Sequence, residues 1–356
     1  MNYLLPDLQS ASITGKRIVV RADFDVPLIE TIDDGQSDVK IGDDIRLLAS
    51  WHTIEYLIKQ NTCSIIGHLG RPQGKKDMKL STWPIAKWYA DKLHVPLAAI
   101  EKQSIHGFDA WKVNEKIIIF ENLRFYAGEE ENDTEFVRKL ALLGDVYINE
   151  AFAMVHRAHA SIVGIPRLLP HYAGINLMRE VSVLTEIITN PERPLLVIIG
   201  GKKVETKLPL LTNMEKIADY LLVGGKIAPQ AQEVFTHEEK KHAQIIIAST
   251  NAAGTDITSE SIEKFKHFIS LAKTTIWNGP VGLIQPVVTG TEKGTLEIAQ
   301  AIAQSSSYSV IGGGDTVEYI RSIGLGDKFN FISTGGGAML TLLSGNELPG
   351  LIALME

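Results

Sequence analysis

Short apolar runs recur along this chain, and each closes on a polar or glycine-rich turn. In the first half they are IVV (18–20), CSII (63–66), KIIIF (116–120) and DVYIN (145–149). In the second half they are LLVII (195–199), YLLV (220–223), QIIIA (244–248), TTIW (274–277), YSVI (308–311) and FNFI (329–332). Their near-continuous apolar character predicts parallel strands covered on both faces, not half-exposed antiparallel ones. Helical patterns lie between them at 81–93, 134–144 and 259–273. In the last, Ile262, Phe265, Phe268, Ile269 and Ala272 form an i, i+3, i+4 stripe. Strand–helix alternation of this kind predicts an α/β protein with two Rossmann-like, doubly wound parallel-sheet domains.

The segment GINLMREVSVLTEIITNPERP (174–194) reads as one amphipathic helix ended at Asn190-Pro191, because proline disfavours α conformation in the residue before it. It divides the chain into an N-terminal domain over 1–176, an interdomain helix over 177–190 and a C-terminal domain over 191–341. A length of 356 residues fits two domains of roughly 150–200 residues. A net charge of −7 argues against general nucleic-acid binding, which needs a basic surface. The single Cys63 permits no internal disulfide, so a reducing cytoplasm is expected. There is no basic start followed by an apolar segment, and no 18-residue apolar run. These features predict a soluble cytoplasmic protein without a membrane partner.

Charge is distributed unevenly. Of eleven arginines, nine lie at or before position 179. Glycine turns crowd the second half: Gly200-Gly201, Gly224-Gly225, Gly279, Gly312–Gly314 and Gly335–Gly337. Arginine forks suit a small fixed anion, whereas backbone N–H groups opened by glycine suit polyphosphate. Segregation of the two predicts a chain that brings two phosphorylated ligands together. In open α/β sheets ligands bind beyond the carboxyl ends of strands, which is where the first-half arginines fall. Arg21 and Asp23 follow the first run, His68 and Arg71 the second, Arg124 the third, and His156, Arg157 and His159 the fourth. Surface ion pairing is the bland alternative for any one arginine. Four successive strand ends carrying arginine favour a shared anion pocket. Two histidines spaced i, i+3, without a third ligand, do not make a metal site.

In the second half, Gly200-Gly201-Lys202-Lys203 opens a helix on which Lys203 and Lys207 share a face, an arrangement suited to polyphosphate. The GxxxxGK[ST] spacing of a P-loop is absent. Gly314-Asp315-Thr316 adds a carboxylate and a hydroxyl after another strand. Mg²⁺ takes one or two carboxylates plus phosphate oxygens, so Asp315 is the candidate metal ligand. Ser333-Thr334-Gly335-Gly336-Gly337 opens a last helix and makes a further anion nest. A dinucleotide dehydrogenase would need GxGxxG after the first strand, and RADFDVP contains no glycine.

RADFDVP, GHLGRP, ENLRF, HRAHAS, GGKKVETK, WNGPVG, GGGDT and STGGGA, followed by Glu347-Leu348-Pro349-Gly350, occur in order over residues 17 to 354. Together they resemble the phosphoglycerate kinase family. The resemblance implies that Asp23, Arg46, His68, Arg71, Arg124 and Arg157 hold 3-phosphoglycerate or 1,3-bisphosphoglycerate. It implies that Gly201, Lys203, Lys207, Asn278, Pro280, Gly314, Asp315 and Thr316 hold the nucleotide, ATP or ADP, with Asp315 on Mg²⁺. Phosphoryl transfer would be stabilised by Arg46, Lys203 and the N–H groups at Gly336 and Gly337. It further implies hinge bending, a monomer, and a tail over 342–356 that packs back on the N-terminal domain.

Several positions depart from the family pattern. Asp25 stands where asparagine is usual. Beside a substrate anion at about 4 Å, with an effective dielectric of about 20, the repulsion is on the order of 4 kcal/mol. Asp25 is therefore expected to point away, pair with an arginine or take a proton. Lys226 replaces a third glycine after Gly224-Gly225, Gln285 a glutamate, and Thr258-Ser259 a Gly-Pro pair near the expected base. The segment 226–258 is short and lacks the LPVD-like stretch expected around 246–250. These changes gather at the expected nucleoside pocket. They make a catalytically weak paralogue, acting as a sensor or scaffold for phosphorylated acids, the competing expectation.

Overall fold

A computed structural model describes residues 3–33, 36–201, 204–235, 242–284 and 292–356. By internal contacts the chain divides into two compact units. The first gathers the chain up to Val181 together with Leu348–Glu356, and the second is Ser182–Glu347. The change of unit falls inside the helix Ile175–Thr189. The C-terminal segment that groups with the first unit begins at Leu348, not at 342. The physical reason is local: the helix Gly336–Leu343 belongs to the second unit, where Asn213 donates to the Leu343 carbonyl.

The first unit contains β1 (Arg17–Arg21), β2 (Leu28–Asp33), β3 (Gln36–Ile41), β4 (Thr62–Ile66), β5 (Glu101–Ile105), β6 (Phe108–Lys112), β7 (Ile117–Phe120), β8 (Val146–Asn149) and β9 (His171–Ala173). Its main sheet runs β5-β6-β7-β4-β1-β8-β9. The five strands from β7 to β9 are parallel. In chain order their sequence is 3-2-1-4-5, so the winding reverses between β1 and β8. Ile18, Val19, Val20 and Arg21 on β1 are all fully buried, as central β-branched strands require. Cys63 on β4 is buried too, and that burial pushes its thiol up to about 12, away from thiolate chemistry.

Antiparallel pairing is added at the edge by strands that carry no apolar run. β5 and β6 join through His106-Gly107, both at positive φ (51° and 86°); β5 is exposed or half-buried along its length, and β6 buries only Phe108 and Ala110. A two-residue turn with both φ positive has the right twist for such a hairpin. β2 and β3 form a separate antiparallel ribbon. Neither pair contains a continuous apolar run, so apolar runs alone do not reveal them.

The second unit contains β10 (Leu195–Ile199), β11 (Tyr220–Val223), β12 (Gln244–Ile247), β13 (Thr274–Asn278), β14 (Tyr308–Gly312) and β15 (Phe331–Ile332). The last is only the end of the FNFI run. The order is β12-β11-β10-β13-β14-β15, parallel throughout. In chain order this is 3-2-1-4-5-6, the dinucleotide-type winding, with its reversal between β10 and β13. Helix starts follow local chemistry. Asp133 accepts the Phe136 N–H at 2.8 Å ahead of Thr134–Ala141, and Thr258 accepts the Ser261 N–H at 3.3 Å ahead of Ser259–Leu271. Among the described residues no helix is long and apolar enough to cross a membrane.

The short helix Pro349–Ala353 is fastened to the first unit through Gly350, whose N–H donates to the Val155 carbonyl at 2.8 Å. A Cβ there would lie 2.7 Å from the Ile162 side chain and 2.9 Å from the Val155 Cα. Backbone cannot yield as a flexible side chain does. Gly350→Ala is expected to destabilise by about 1–3 kcal/mol and to speed proteolytic removal of the C-terminal residues. Unchanged melting and cleavage rates would show that the tail is not seated there.

Candidate active site

The reversal between β1 and β8 is where an open α/β sheet offers a crevice, and the first unit concentrates its positive charge there. Arg21, the last residue of β1, is fully buried. Its Nε donates to Ser161 Oγ at 2.9 Å, its Nη1 donates to the Ala22 carbonyl, and its Nη2 lies 3.1 Å from His68 Nδ1. Asp23 accepts from Arg46 Nη1 at 3.0 Å and from the Asp25 N–H at 3.1 Å. Arg46 stands in the first turn of the helix Ile45–Leu57, and the nearby Asp23 and Asp25 charges hold its guanidinium above its ordinary range.

Two glycines let the second turn approach. A Cβ at Gly67 would overlap the Phe24 ring at 2.3 Å, and Gly70 sits at φ +61°. The Gly70 N–H donates to Asp25 Oδ1 at 2.9 Å, while its carbonyl accepts from Arg124 Nη1 at 2.9 Å. Asn122 shapes the third turn by accepting the Arg124 N–H and donating to the Leu69 and Leu80 carbonyls. Arg124 also pairs with Glu130 at 3.2 Å. Asp25 thus resolves by pairing: one oxygen takes the Gly70 N–H, and the other lies 3.8 Å from Arg46.

Three histidines complete this locus. Burial first, then the surrounding arginines, holds His68 well below the usual imidazole range. The same causes, in the same order, lower His156 and His159 to about 4. The Nδ1 atoms of His156 and His159 are buried without a hydrogen-bond partner. Arg21, Arg46, Arg124, Arg157 and these histidines therefore feel one another's charge. Arg71 is exposed and has no partner among the described residues, so the structure does not draw it into this network.

The second unit builds its site from backbone. The Gly200 N–H donates to the Asn278 carbonyl at 3.0 Å, and the Gly201 N–H to the Pro280 carbonyl at 2.8 Å. A Cβ on Gly200 would lie 2.3 Å from the Pro280 oxygen, and one on Gly279 would lie 2.3 Å from the Gly200 oxygen. The two turns interlock so closely that only glycine fits. Trp277 fixes this arrangement by donating its indole N–H to the Gly279 carbonyl at 2.9 Å. Lys207 is buried and donates to the Asn278 carbonyl and side-chain oxygen. That burial lowers its ammonium to about 7, against an opposing pull from Asp315.

Gly312–Gly314 and Gly335–Gly337 meet across the sheet edge. A Cβ at Gly336 would lie 3.2 Å from the Gly313 Cα. The helices Gly314–Ser322 and Gly336–Leu343 start there, with their first N–H groups lacking intrahelical acceptors. Asp315 and Gly337 are exposed, while Thr316 is fully buried with its hydroxyl unpartnered. Lys203 and Gln285 lie outside the described residues.

A neighbouring pocket is lined by Gly201, Gly225, Lys226, Thr255, Pro280 and Val281, among others. Lys226 stands in its wall. Thr258 does not line it and instead caps a helix. Reasoning from sequence left Ser161 and Glu129 out of the site. Ser161 sits inside the HRAHAS motif, but Glu129 carries no local signal, because its role exists only once two distant segments pack together.

A family profile described as phosphoglycerate kinase matches residues 8–241 and 230–346. The phosphoglycerate kinase of Desulforudis audaxviator is 35% identical, covering 98% of this chain and 98% of its own. That of Leptospira biflexa is also 35% identical, over 99% and 98% respectively. Among solved structures, phosphoglycerate kinase from Coxiella burnetii superposes with a TM-score of 0.78 at 29% identity, covering 99% of both chains. The enzyme from Pyrococcus horikoshii gives 0.77 at 26% identity, covering 99% of this chain and 98% of its own. With strand-end arginines in one unit, glycine turns in the other and full-length similarity to these enzymes, the chain belongs to the phosphoglycerate kinase family, kinases that transfer phosphate to a carboxyl group of 3-phosphoglycerate.

Proposed function

We propose that the first unit holds 3-phosphoglycerate or 1,3-bisphosphoglycerate through Asp23, Arg46, His68, Arg71, Arg124 and Arg157. The second unit holds Mg-ATP or Mg-ADP through Gly201, Lys203, Lys207, Asn278, Pro280, Gly314, Asp315 and Thr316. One observation carries the reading: Arg21, Arg46 and Arg124 share a buried field with a deprotonated His68. Positive charge gathered where the sheet winding reverses, with histidines neutral, suits a ligand bearing both a carboxylate and a phosphate.

In the reaction the phosphorus–oxygen bond to the nucleotide breaks as one to the carboxylate oxygen forms, or the reverse. Little covalent work falls to the protein, so its residues bind, orient and neutralise charge. Arg46, Lys203 and the free N–H groups at Gly336 and Gly337 serve the transferring group, whose charge spreads over three oxygens. The exposed Asp315, the unpartnered Thr316 hydroxyl and the two helix starts fit a hard divalent cation held together with phosphate oxygens. When bound, Mg²⁺ supplies charge neutralisation along the phosphates.

Three outcomes test this reading. In a coupled assay, Arg46→Ala is expected to lower kcat/KM for 3-phosphoglycerate by at least about a hundredfold; a loss under fivefold would remove it from the reaction. Lys207 gives a signed pH dependence. Its ammonium titrates at about 7 in the free protein, and phosphate oxygens bind the charged form. Affinity for ADP therefore weakens as pH rises through about 7, by at most about tenfold per pH unit. The slope disappears in Lys207→Met, and a flat wild-type profile, corrected for the nucleotide's own ionisation, contradicts the role. Asp315→Asn is expected to raise the Mg²⁺ concentration needed for half-maximal nucleotide binding by about tenfold. Fluorescence titration without turnover reads this directly, and an unchanged midpoint places the metal elsewhere.

A further inference from the structure

All three side-chain contacts of Arg21 are to buried groups. Its Nη2 faces His68 Nδ1 at 3.1 Å, its Nε faces Ser161 Oγ at 2.9 Å, and its Nη1 donates to the Ala22 carbonyl. The Ser161 hydroxyl donates to Glu129 Oε1 at 2.6 Å, and the Ser161 N–H donates to Glu129 Oε2 at 3.0 Å. Tyr147 holds the same residue by donating to its carbonyl at 2.7 Å. Arg21, Ser161, Glu129 and Tyr147 are all fully buried.

Donor and acceptor accounting fixes the protons along this chain. A hydroxyl has one proton, and Ser161 spends it on the Glu129 carboxylate, so a lone pair is left for the Arg21 Nε–H. A guanidinium only donates and does not lose its proton in a protein. His68 Nδ1 must therefore accept, and the ring's one proton sits on Nε2, which has no partner among the described residues.

We infer that Arg21 is a positioning residue, held by Glu129 and Ser161, that locks His68 as its Nε2–H tautomer and presents it as a neutral, directional donor. This rests on the reading that His68 binds the three-carbon acid. The lock supplies an orienting hydrogen bond without a second positive charge. An imidazolium would set its Nδ1–H against the Arg21 N–H. The titratable and charged groups facing His68 are Arg21 at the end of β1, Arg124 after β7, Arg46 on the helix Ile45–Leu57, and His159. Burial first, and then the three arginine charges, oppose protonation, so His68 stays neutral across the physiological range.

The test is long-range ¹H–¹⁵N spectroscopy of the full chain labelled at histidine nitrogens, with His68→Gln identifying the resonances. Between about pH 5 and 8, wild-type His68 is expected to show an unprotonated Nδ1 and a protonated Nε2, without titrating. A protonated Nδ1, or an imidazolium forming in that window, overturns the lock whatever any variant does. In Arg21→Met the ring should exchange between tautomers or titrate, while Arg21→Lys keeps a donor and restores part of the signature. KM for 3-phosphoglycerate should rise about tenfold in Arg21→Met, with kcat changed by less than about threefold. A folded Arg21→Met that keeps the wild-type tautomer without exchange also overturns the lock. If Arg21→Met does not fold, the wild-type pattern alone decides: an unprotonated Nδ1 with a protonated Nε2 supports the lock, and a protonated Nδ1 overturns it. Should wild type show the lock while no His68 resonance moves at saturating 3-phosphoglycerate, the acid-site reading fails and the lock stands.

Discussion

Mutual repulsion among arginines is the constraint on which the first unit's site depends. Two like charges about 5 Å apart, at an effective dielectric of about 20, repel by roughly 3 kcal/mol. Arg21, Arg46 and Arg124 all oppose a proton on His68. The structure meets the cost in two ways. Asp23 and Asp25 face Arg46, Glu130 faces Arg124, and Ser161 with its buried Glu129 partner faces Arg21. The histidines give up their protons, lowered chiefly by burial. What is left is a recess whose guanidinium donors an incoming anion would engage.

The second unit handles negative charge on a different principle. Glycines at 200, 201, 279, 313 and 336 bring separate turns within backbone contact, so the recognising groups are N–H dipoles and helix starts. The one buried cation among its described residues, Lys207, is held down to about 7 and leans on Asn278. Backbone donors need no counter-charge when the ligand is away, whereas side-chain cations do. That difference explains why glycine dominates one unit and arginine the other.

The departures from family pattern have unequal consequences. Asp25 is absorbed: it accepts the Gly70 N–H and adds to the field around Arg46, so its extra charge offsets arginine repulsion. Thr258 is structural, capping a helix away from the pocket wall. Lys226 does enter that wall, adding a cation where the family pattern has a glycine.

Much was decided by the chain itself. Continuous apolar runs such as LLVII can be satisfied only when covered on both faces, which dictates parallel strands and helices between them. The ordered motifs placed the chemistry, because a glycine that must touch another backbone leaves a fixed mark in sequence. Half-exposed pairs such as β5–β6 lacked that mark, since their apolar positions are diluted by polar ones facing water. Strand order, and with it the two positions where winding reverses, arose only when distant strands paired. So did the pairing of Asp25 and the Glu129–Ser161–Arg21–His68 chain, whose members lie up to 140 positions apart. A hydrogen bond is directional and short-ranged, so which donor meets which acceptor across such separations is set by packing and has no local signature.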